Sequence, residues 1–188
     1  MVVEIIEKSI AVKTKLLNDA QLLARIQRVG QVVAVAFQGD KKVLFCGNGG
    51  SAADAQHLAA ELSGRFYKDR KPLFAEALHV NTSYLTAVAN DYGFDYIYAR
   101  MLEAAGREGD ILIAISTSGN SPNILKAIAT ARQQGMIIIG MTGESGGAMA
   151  SLCDFLINVP SSDTPRIQES HIMIGHIWCE QVEAILFS

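Results

Sequence analysis

The stretch from Val43 to Glu61 constrains the fold and function of this chain more than any other. It begins with a short apolar run typical of a β-strand, turns through G-N-G-G-S, and continues as an alanine-rich helical pattern. A strand that leads through a glycine-rich turn into a helix gathers free backbone N–H groups at the helix start, where the helix dipole also favours an anion. We therefore expect this turn to bind a phosphate. The turn consists of Gly47, Asn48, Gly49, Gly50 and Ser51.

Two side chains with acid–base chemistry follow the turn on the same predicted helix. His57 and Glu61 are four residues apart, so they share one face of the helix beyond its phosphate-binding end. An anion site with an imidazole and a carboxylate beside it is typical of a protein that acts on a phosphorylated substrate.

A second unit repeats this arrangement further along the chain. The apolar run from Asp110 to Ile115 is typical of a strand buried on both faces of a parallel sheet, and Pro122 suits the first turn of a following helix. Loops at the carboxyl ends of neighbouring parallel strands converge, so we expect both loops to bind one phosphate. The hydroxyl side chains of the second loop are Ser116, Thr117, Ser118 and Ser121.

The alternation of strand and helix patterns predicts an α/β fold, a doubly wound, flavodoxin-like parallel β-sheet flanked by helices. A helical period over residues 2–38, interrupted at Asn18 and Asp19, predicts two N-terminal helices. We interpret 1–188 as a single domain, in which 1–40 serve packing and oligomerisation and 41–188 form the α/β core. The predicted strands are 42–46, 75–79, 110–115, 136–141 and 155–159, and the last predicted helix is 166–186.

Two connecting segments have polar patterns. Residues 65–72 are charged and end in proline, so Arg65 is either a solvated side chain or a cation near the phosphate, and the pattern leaves both open. Asn81 is a predicted helix cap, and residues 90–95 are predicted to form a turn that offers polar groups.

Composition excludes several classes of protein. The net charge of −3 and the pI near 5.8 lack the basic surface that general nucleic-acid binding needs. No apolar run has the length of a membrane span, and the start M-V-V-E has no basic segment before an apolar stretch. We therefore expect a cytoplasmic protein that binds neither membranes nor nucleic acid. The three cysteines have neither disulfide nor zinc-finger spacing.

The last predicted helix carries further candidate residues. Glu169 and His176 are seven residues apart, close to two helical turns, so they nearly share a face, and Gln168 lies at its edge. His171 points elsewhere, and we interpret it as packing at a subunit interface. Histidines on an apolar helix are more often packing residues than metal ligands, so this pattern by itself does not assign His176.

Three motifs follow one another along the chain: C-G-N-G-G-S-x-x-D-A-x-H-x-x-x-E, I-S-T-S-G-N-S and R-I-Q-E-x-H-I-x-x-x-H. Together they resemble the sugar isomerase (SIS) domain family, and within it the isomerases of heptose phosphates, over essentially the whole chain. The resemblance implies an aldose–ketose isomerase that converts sedoheptulose 7-phosphate to D-glycero-D-manno-heptose 7-phosphate through an enediol. That reaction is the first step towards ADP- or GDP-heptose for lipopolysaccharide or another surface glycan. The resemblance also implies a homotetramer with active sites built from more than one subunit, and one zinc ion per subunit.

The same resemblance implies roles for individual residues. Glu61 and His176 fall on the family's general base and acid, groups that suit the movement of a carbonyl from C2 to C1. Zinc accepts nitrogen and oxygen ligands. The implied metal ligands are His57, Glu61, Gln168 and His176. The implied phosphate contacts are Ser51, Ser116, Thr117, Ser118 and Ser121, and the implied sugar contacts are Asn48, Asp91 and Gln168.

Two of these assignments stay open. Glu61 cannot be a tight metal ligand and a free base at the same instant, so it either leaves the metal or acts within a rearranged set of ligands. Some family members carry Asp just before R-I-Q-E, where this chain has Pro165. Pro165 cannot make the contact to a sugar hydroxyl that this Asp makes in the family. Asp163, two residues earlier, is the nearest residue that could replace it.

Other functions are known on the same scaffold. A non-catalytic SIS-domain protein that binds the bacterial replication initiator resembles this chain in its loops but lacks counterparts of Glu61 and His176. A phosphosugar sensor fused to a DNA-binding module would carry a basic or helix-turn-helix extension, and isomerases of other sugar phosphates lack R-I-Q-E-x-H. We therefore favour the heptose-phosphate isomerase and keep the initiator-binding protein as the alternative.

Overall fold

A five-stranded parallel β-sheet forms the centre of the computed structural model, which describes residues 1–187. The strands are β1 (Val43–Gly47), β2 (Ala75–Ala77), β3 (Ile111–Ile115), β4 (Ile137–Thr142) and β5 (Phe155–Asn158). The helices are α1 (Val2–Leu17), α2 (Ala20–Gln38), α3 (Gly50–Ser63), α4 (Thr82–Tyr92), α5 (Ile97–Ala105), α6 (Pro122–Gln133) and α7 (Thr164–Leu186), with short 3₁₀ turns at Phe94–Tyr96 and Gly147–Ser151. The strand order β2-β1-β3-β4-β5 is the flavodoxin-like order. The predicted fold class is confirmed.

Side chains of the strands alternate between two hydrophobic cores, one on each face of the sheet. In β1, Val43 and Phe45 point into the core covered by α1, α2, α3 and α7, whereas Leu44 and Cys46 point into the core covered by α4, α5 and α6. Successive side chains of a strand lie on opposite faces, so the continuous apolar runs in the sequence fill both cores. This packing fixes the carboxyl ends of β1 and β3 side by side, in the register Gly47 to Ile115.

The two N-terminal helices meet at the predicted break. Asp19 caps α2, because its Oδ1 accepts a hydrogen bond of 2.9 Å from the N–H of Leu22. The helix then packs against α7, where the indole of Trp178 donates to the carbonyl of Ile26 at 3.0 Å. This contact ties the N-terminal helices to the helix that carries His176.

Most apolar side chains of α1 remain exposed. Val12 and Leu16 are buried, whereas six others are between 47% and 69% exposed: Val2, Val3, Ile5, Ile6, Ile10 and Leu17. An exposed apolar surface of this extent is typical of an interaction site. Within residues 1–187, no helix combines the length and the apolar character that a membrane span requires.

The structure differs from the sequence-based expectation at several element ends; β2, for example, ends at Ala77 and not at 79. Helix α7 begins at Thr164, before the predicted start at 166, because Pro165 fits the first helical turn, where its missing N–H has no intrahelical partner to lose. Helix α4 continues through Asn90 and Asp91, which were expected in a turn, and ends at Tyr92, followed by Gly93 with φ +93°. The predicted cap at Asn81 is confirmed, since its side chain accepts from the N–H of Tyr84.

Candidate functional site

The first loop brings backbone close to α7. Gly49 has φ +56°, a conformation that side chains of L-residues disfavour, and it leads directly into α3 at Gly50. A Cβ on Gly50 would lie 2.5 Å from Nε2 of Gln168, so a larger residue there would displace the amide of Gln168. Ser51, which is buried, follows in the first turn of α3. The first turn of α3 therefore lies directly beside the side chain of Gln168.

The second loop gathers hydroxyl groups at the start of α6. Oγ of Ser116 lies 3.0 Å from Oγ of Ser121 and 3.4 Å from Oγ of Ser118. Ser116 is buried, whereas Ser118 is exposed. The carbonyl of Thr117 accepts from the N–H of Gly143 at 2.9 Å, which anchors the loop to the end of β4. Hydroxyl groups and a helix N-terminus in this arrangement suit the oxygens of a phosphate.

A pair of asparagines joins the two loops. Nδ2 of Asn48 donates to Oδ1 of Asn123 at 2.9 Å, and Nδ2 of Asn123 donates back to Oδ1 of Asn48 at 2.8 Å. Asn123 is 1% exposed and lies in the first turn of α6. The sequence analysis missed Asn123. In the sequence, Asn123 is only a polar residue near the start of a helix whose neighbouring residues are typical of core packing. Its partner, Asn48, lies 75 residues away.

A cavity of about 290 Å³ adjoins the second loop. Its walls come from the carboxyl ends of β3 and β4 and from the loop before α7, and most of its side chains carry hydroxyl groups. The hydroxyl-bearing walls are Thr117, Ser118, Ser145, Ser161, Ser162 and Thr164. A polar cavity next to a phosphate loop suits the hydroxyl groups of a sugar.

Three side chains with acid–base and metal-binding chemistry converge between α3 and α7. Nε2 of His57 lies 2.9 Å from Nε2 of His176 and 3.3 Å from Oε1 of Glu61. One ligand atom from each of the three residues lies within 4.8 Å of the others. Helices α3 and α7 run side by side, so His57 and His176 meet although 119 residues separate them. The ring of Phe66 lies 5.5 Å from that of His176 and covers one side of the group.

The donor set of His57, Glu61 and His176 fits a zinc ion. Two imidazole nitrogens and a carboxylate oxygen are ordinary zinc ligands, and ligands about 2.1 Å from one tetrahedral ion lie roughly 3.4 Å from one another. Two of the separations, 2.9 and 3.3 Å, are close to that spacing, and the third, between Glu61 and His176, is within 4.8 Å.

Asp54 is a second residue that the sequence analysis did not single out. It lies one turn before His57 on α3, and its Oδ2 is buried with no hydrogen-bond partner among residues 1–187. Burial raises the pKa of Asp54 to about 6, while the neighbouring His57 acts in the opposite direction. The motif S-x-x-D-A-x-H contains Asp54, but the helical spacing did not indicate that its side chain is buried and not on the solvent-exposed face of α3.

The remaining candidates lie apart from the three-residue group. Gln168 is eight residues before His176 on α7, about 12 Å along the helix axis, beside Gly50. Asp91 is exposed at the end of α4, where its Oδ1 accepts from Nδ2 of Asn90 at 2.9 Å. Asp163 precedes α7, and its N–H donates to Oγ of Ser161 at 3.1 Å. Arg65 is exposed, and within residues 1–187 it takes part in no ion pair.

The interpretation of His171 as subunit-interface packing is wrong. Its side chain is fully buried within one chain, and its Nε2 lies 3.1 Å from the carbonyl of Thr142 at the end of β4. Burial lowers the pKa of His171 to about 4, and the hydrogen bond to Thr142 opposes that shift only in part. The residue is a neutral core histidine that fastens α7 to the sheet.

The fold and the site together define a class of protein. It is a doubly wound α/β protein in which two helix-starting loops lie at the carboxyl edge of the parallel sheet and a group of His57, Glu61 and His176 lies between α3 and α7. The chain belongs to the SIS domain family, whose model matches residues 8–143.

Within this family the chain is similar to phosphoheptose isomerases over nearly its whole length. The phosphoheptose isomerase of Mycobacterium tuberculosis is 56% identical over 185 residues, which cover 98% of this chain and 94% of the relative. That of Aneurinibacillus thermoaerophilus is 53% identical over 182 residues, 97% of this chain and 92% of the relative. The solved structure of the enzyme from Neisseria gonorrhoeae matches with a TM-score of 0.92 at 41% identity and covers 97% of each chain.

Proposed function

We propose that this chain is an aldose–ketose isomerase that converts sedoheptulose 7-phosphate to D-glycero-D-manno-heptose 7-phosphate. The observation that carries the proposal is the meeting of Glu61 and His176 between α3 and α7, where their ligand atoms lie within 4.8 Å of each other. Relatives with 53–56% identity that are named phosphoheptose isomerase support the choice of substrate. A non-catalytic binding protein would have no need for a carboxylate and an imidazole at this place.

The proposed mechanism divides the work between the loops and the helices. Ser51 and the hydroxyl groups of the second loop hold the phosphate, while Asn48, Asp91 and Gln168 contact the sugar hydroxyls. Glu61 takes the proton from C1 of the open-chain ketose, and His176 moves a proton between the oxygens on C2 and C1. Return of a proton to C2 of the enediol gives the aldose with no net change in protons.

We further propose that His57, Glu61 and His176 hold one zinc ion per subunit. Zinc would act as a Lewis acid towards the oxygens of the substrate. Gln168 remains a proposed fourth ligand, although within one chain it lies beside Gly50. Glu61 would then either leave the metal to act as the base or act within a rearranged set of ligands.

Assembly and cellular context complete the proposal. The exposed apolar side chains of α1 support a homo-oligomer, and the proposed state is a tetramer whose active sites combine residues of several subunits. In a tetramer, exposed Asp91 of one subunit has a route to the site of another. We propose one SIS domain over 1–188, in the cytoplasm, that supplies heptose for lipopolysaccharide or another surface glycan.

A direct assay tests both the reaction and the metal. The purified protein, incubated with sedoheptulose 7-phosphate, is expected to form an aldose phosphate, and elemental analysis is expected to find about one zinc per subunit. Removal of zinc with a chelator should abolish turnover, and added Zn²⁺ should restore it. Absence of aldose from the zinc-loaded protein would refute the proposed reaction, whereas full activity without metal would refute only the metal assignment.

The phosphate contacts predict a change in KM. Alanine at Ser51, Ser116 or Ser118 is expected to raise KM for the phosphosugar about 10-fold or more, because a hydrogen bond to a charged group contributes roughly 1.5–3 kcal/mol. Steady-state kinetics measure this, with Ser83→Ala on exposed α4 as the control that leaves KM unchanged. An unchanged KM in all three variants would place the phosphate elsewhere.

A further inference from the structure

A buried carboxylate on α7 organises the segment that follows α3. Glu183 is seven residues after His176 and 2% exposed. Its two oxygens accept from the backbone N–H groups of Phe66 at 3.0 Å and of Tyr67 and Lys68 at 2.9 Å each. Burial by itself would raise the pKa of Glu183, but these N–H groups and an arginine lower it below its ordinary value. The side chain is therefore a charged acceptor at neutral pH.

The arginine is Arg70, whose side chain is also 2% exposed. Its Nε donates to Oε1 of Glu183 at 2.9 Å, and its two terminal nitrogens donate to backbone carbonyls at the end of α3. Those carbonyls belong to Glu61 and Leu62, both at 2.8 Å, and to Gly64 at 3.1 Å. The last carbonyls of a helix have no partner within the helix, and Arg70 supplies donors to them; the carbonyl of Leu62 also accepts from the N–H of Leu73 at 3.2 Å.

This network contacts residues of the proposed catalytic site, Glu61 and His176. Arg70 bonds the main chain of Glu61 itself, and Glu183 belongs to the same helix as His176. The N–H groups held by Glu183 begin at Phe66, whose ring covers His176 at 5.5 Å. The end of α3, the following segment and α7 are therefore joined through one buried ion pair.

We propose that Arg70 and Glu183 are positioning residues for the isomerase, which set the distance between Glu61 and His176 and the placement of Phe66 on His176. The inference rests on the proposed function. Neither residue reaches the loops at the start of α3 and α6, so the pair acts on turnover and metal binding and leaves the phosphate contacts as they are.

Arg70→Lys and Glu183→Gln are the variants that test this inference. A lysine ammonium cannot reach Glu183 and the carbonyls of α3 together, and glutamine cannot accept from all four donors. Each variant is expected to lower kcat at least about 10-fold, with KM for the phosphosugar within about 3-fold of wild type. Arg70→Met removes the charge, and its kcat is expected to fall below that of Arg70→Lys.

A second buried ion pair provides the matched control. Asp110 is 2% exposed and accepts from Nζ of Lys42 at 2.5 Å and from the backbone N–H groups of Lys42 and Arg107, just before β3. Asp110→Asn is expected to lower thermal stability to a similar degree while kcat stays near wild type. Equal loss of kcat in Asp110→Asn and Glu183→Gln would reduce the role of Glu183 to general stability and overturn the inference.

A readout that needs no turnover separates this inference from the proposed function. In the metal-free protein, the imidazole NMR signals of His57 and His176 are expected to shift in Arg70→Lys and Glu183→Gln but not in Asp110→Asn, and competition with a chelator should show weaker Zn²⁺ binding.

If wild type forms no aldose but these shifts occur, the proposed reaction fails while the positioning role stands. Folded Arg70→Lys with unchanged imidazole signals, zinc affinity and kcat would overturn the role itself. If Arg70→Met does not fold, Arg70→Lys, which keeps the positive charge, tests the positioning role alone.

Discussion

Replacement of Glu61 by glutamine is expected to lower kcat at least about 10²-fold, since the amide has no basic oxygen to take the proton from carbon. The side chain keeps its size, and the main-chain carbonyl that binds Arg70 is unchanged, so the fold should persist. Steady-state kinetics with sedoheptulose 7-phosphate and circular dichroism measure the two effects. Solvent hydrogen exchange at the substrate's C1 should slow with kcat, because both depend on the same proton transfer.

Two comparisons make the Glu61 result specific. Glu103→Gln, the same chemical change on exposed α5, should leave kcat unchanged. Zinc content of Glu61→Gln shows whether the loss comes from the base or from the metal: retained zinc with lost turnover assigns the base. A rate near that of wild type would remove Glu61 from catalysis.

Replacement of His176 by glutamine is expected to have a similarly large effect, at least about 10²-fold on kcat. The imidazole is the proposed acid, and its Nε2 lies 2.9 Å from Nε2 of His57, so the variant loses both a proton carrier and a proposed metal ligand. Turnover and zinc content should fall together, and excess Zn²⁺ should restore the metal more fully than the rate.

The control for His176 is His79→Gln, because His79 follows β2 and lies outside the group of His57, Glu61 and His176. That variant should retain zinc and turnover. If His176→Gln regained full activity with added Zn²⁺, the imidazole would serve the metal alone and the proton transfer would need another group.

The elements of this protein follow from local sequence patterns. The apolar runs of β1 and β3 alternate sides and fill both cores, and the helical period with Asp19 as a cap predicts two N-terminal helices. Glycine, serine and proline at the loops mark the helix starts at Gly50 and Pro122. These features depend on residues a few positions apart, so the sequence determines them by its periodicity and turn chemistry alone.

Tertiary packing alone decides which of these residues meet. Asn48 pairs with Asn123 across 75 residues, Arg70 with Glu183 across 113, and His57 with His176 across 119. Helical spacing states which face of a helix a residue occupies but not what lies opposite, and this explains why His171 belongs to the core and Gln168 lies beside Gly50. Those contacts depend on how α3 and α7 pack against each other on the sheet, a property of the folded chain and of no single segment.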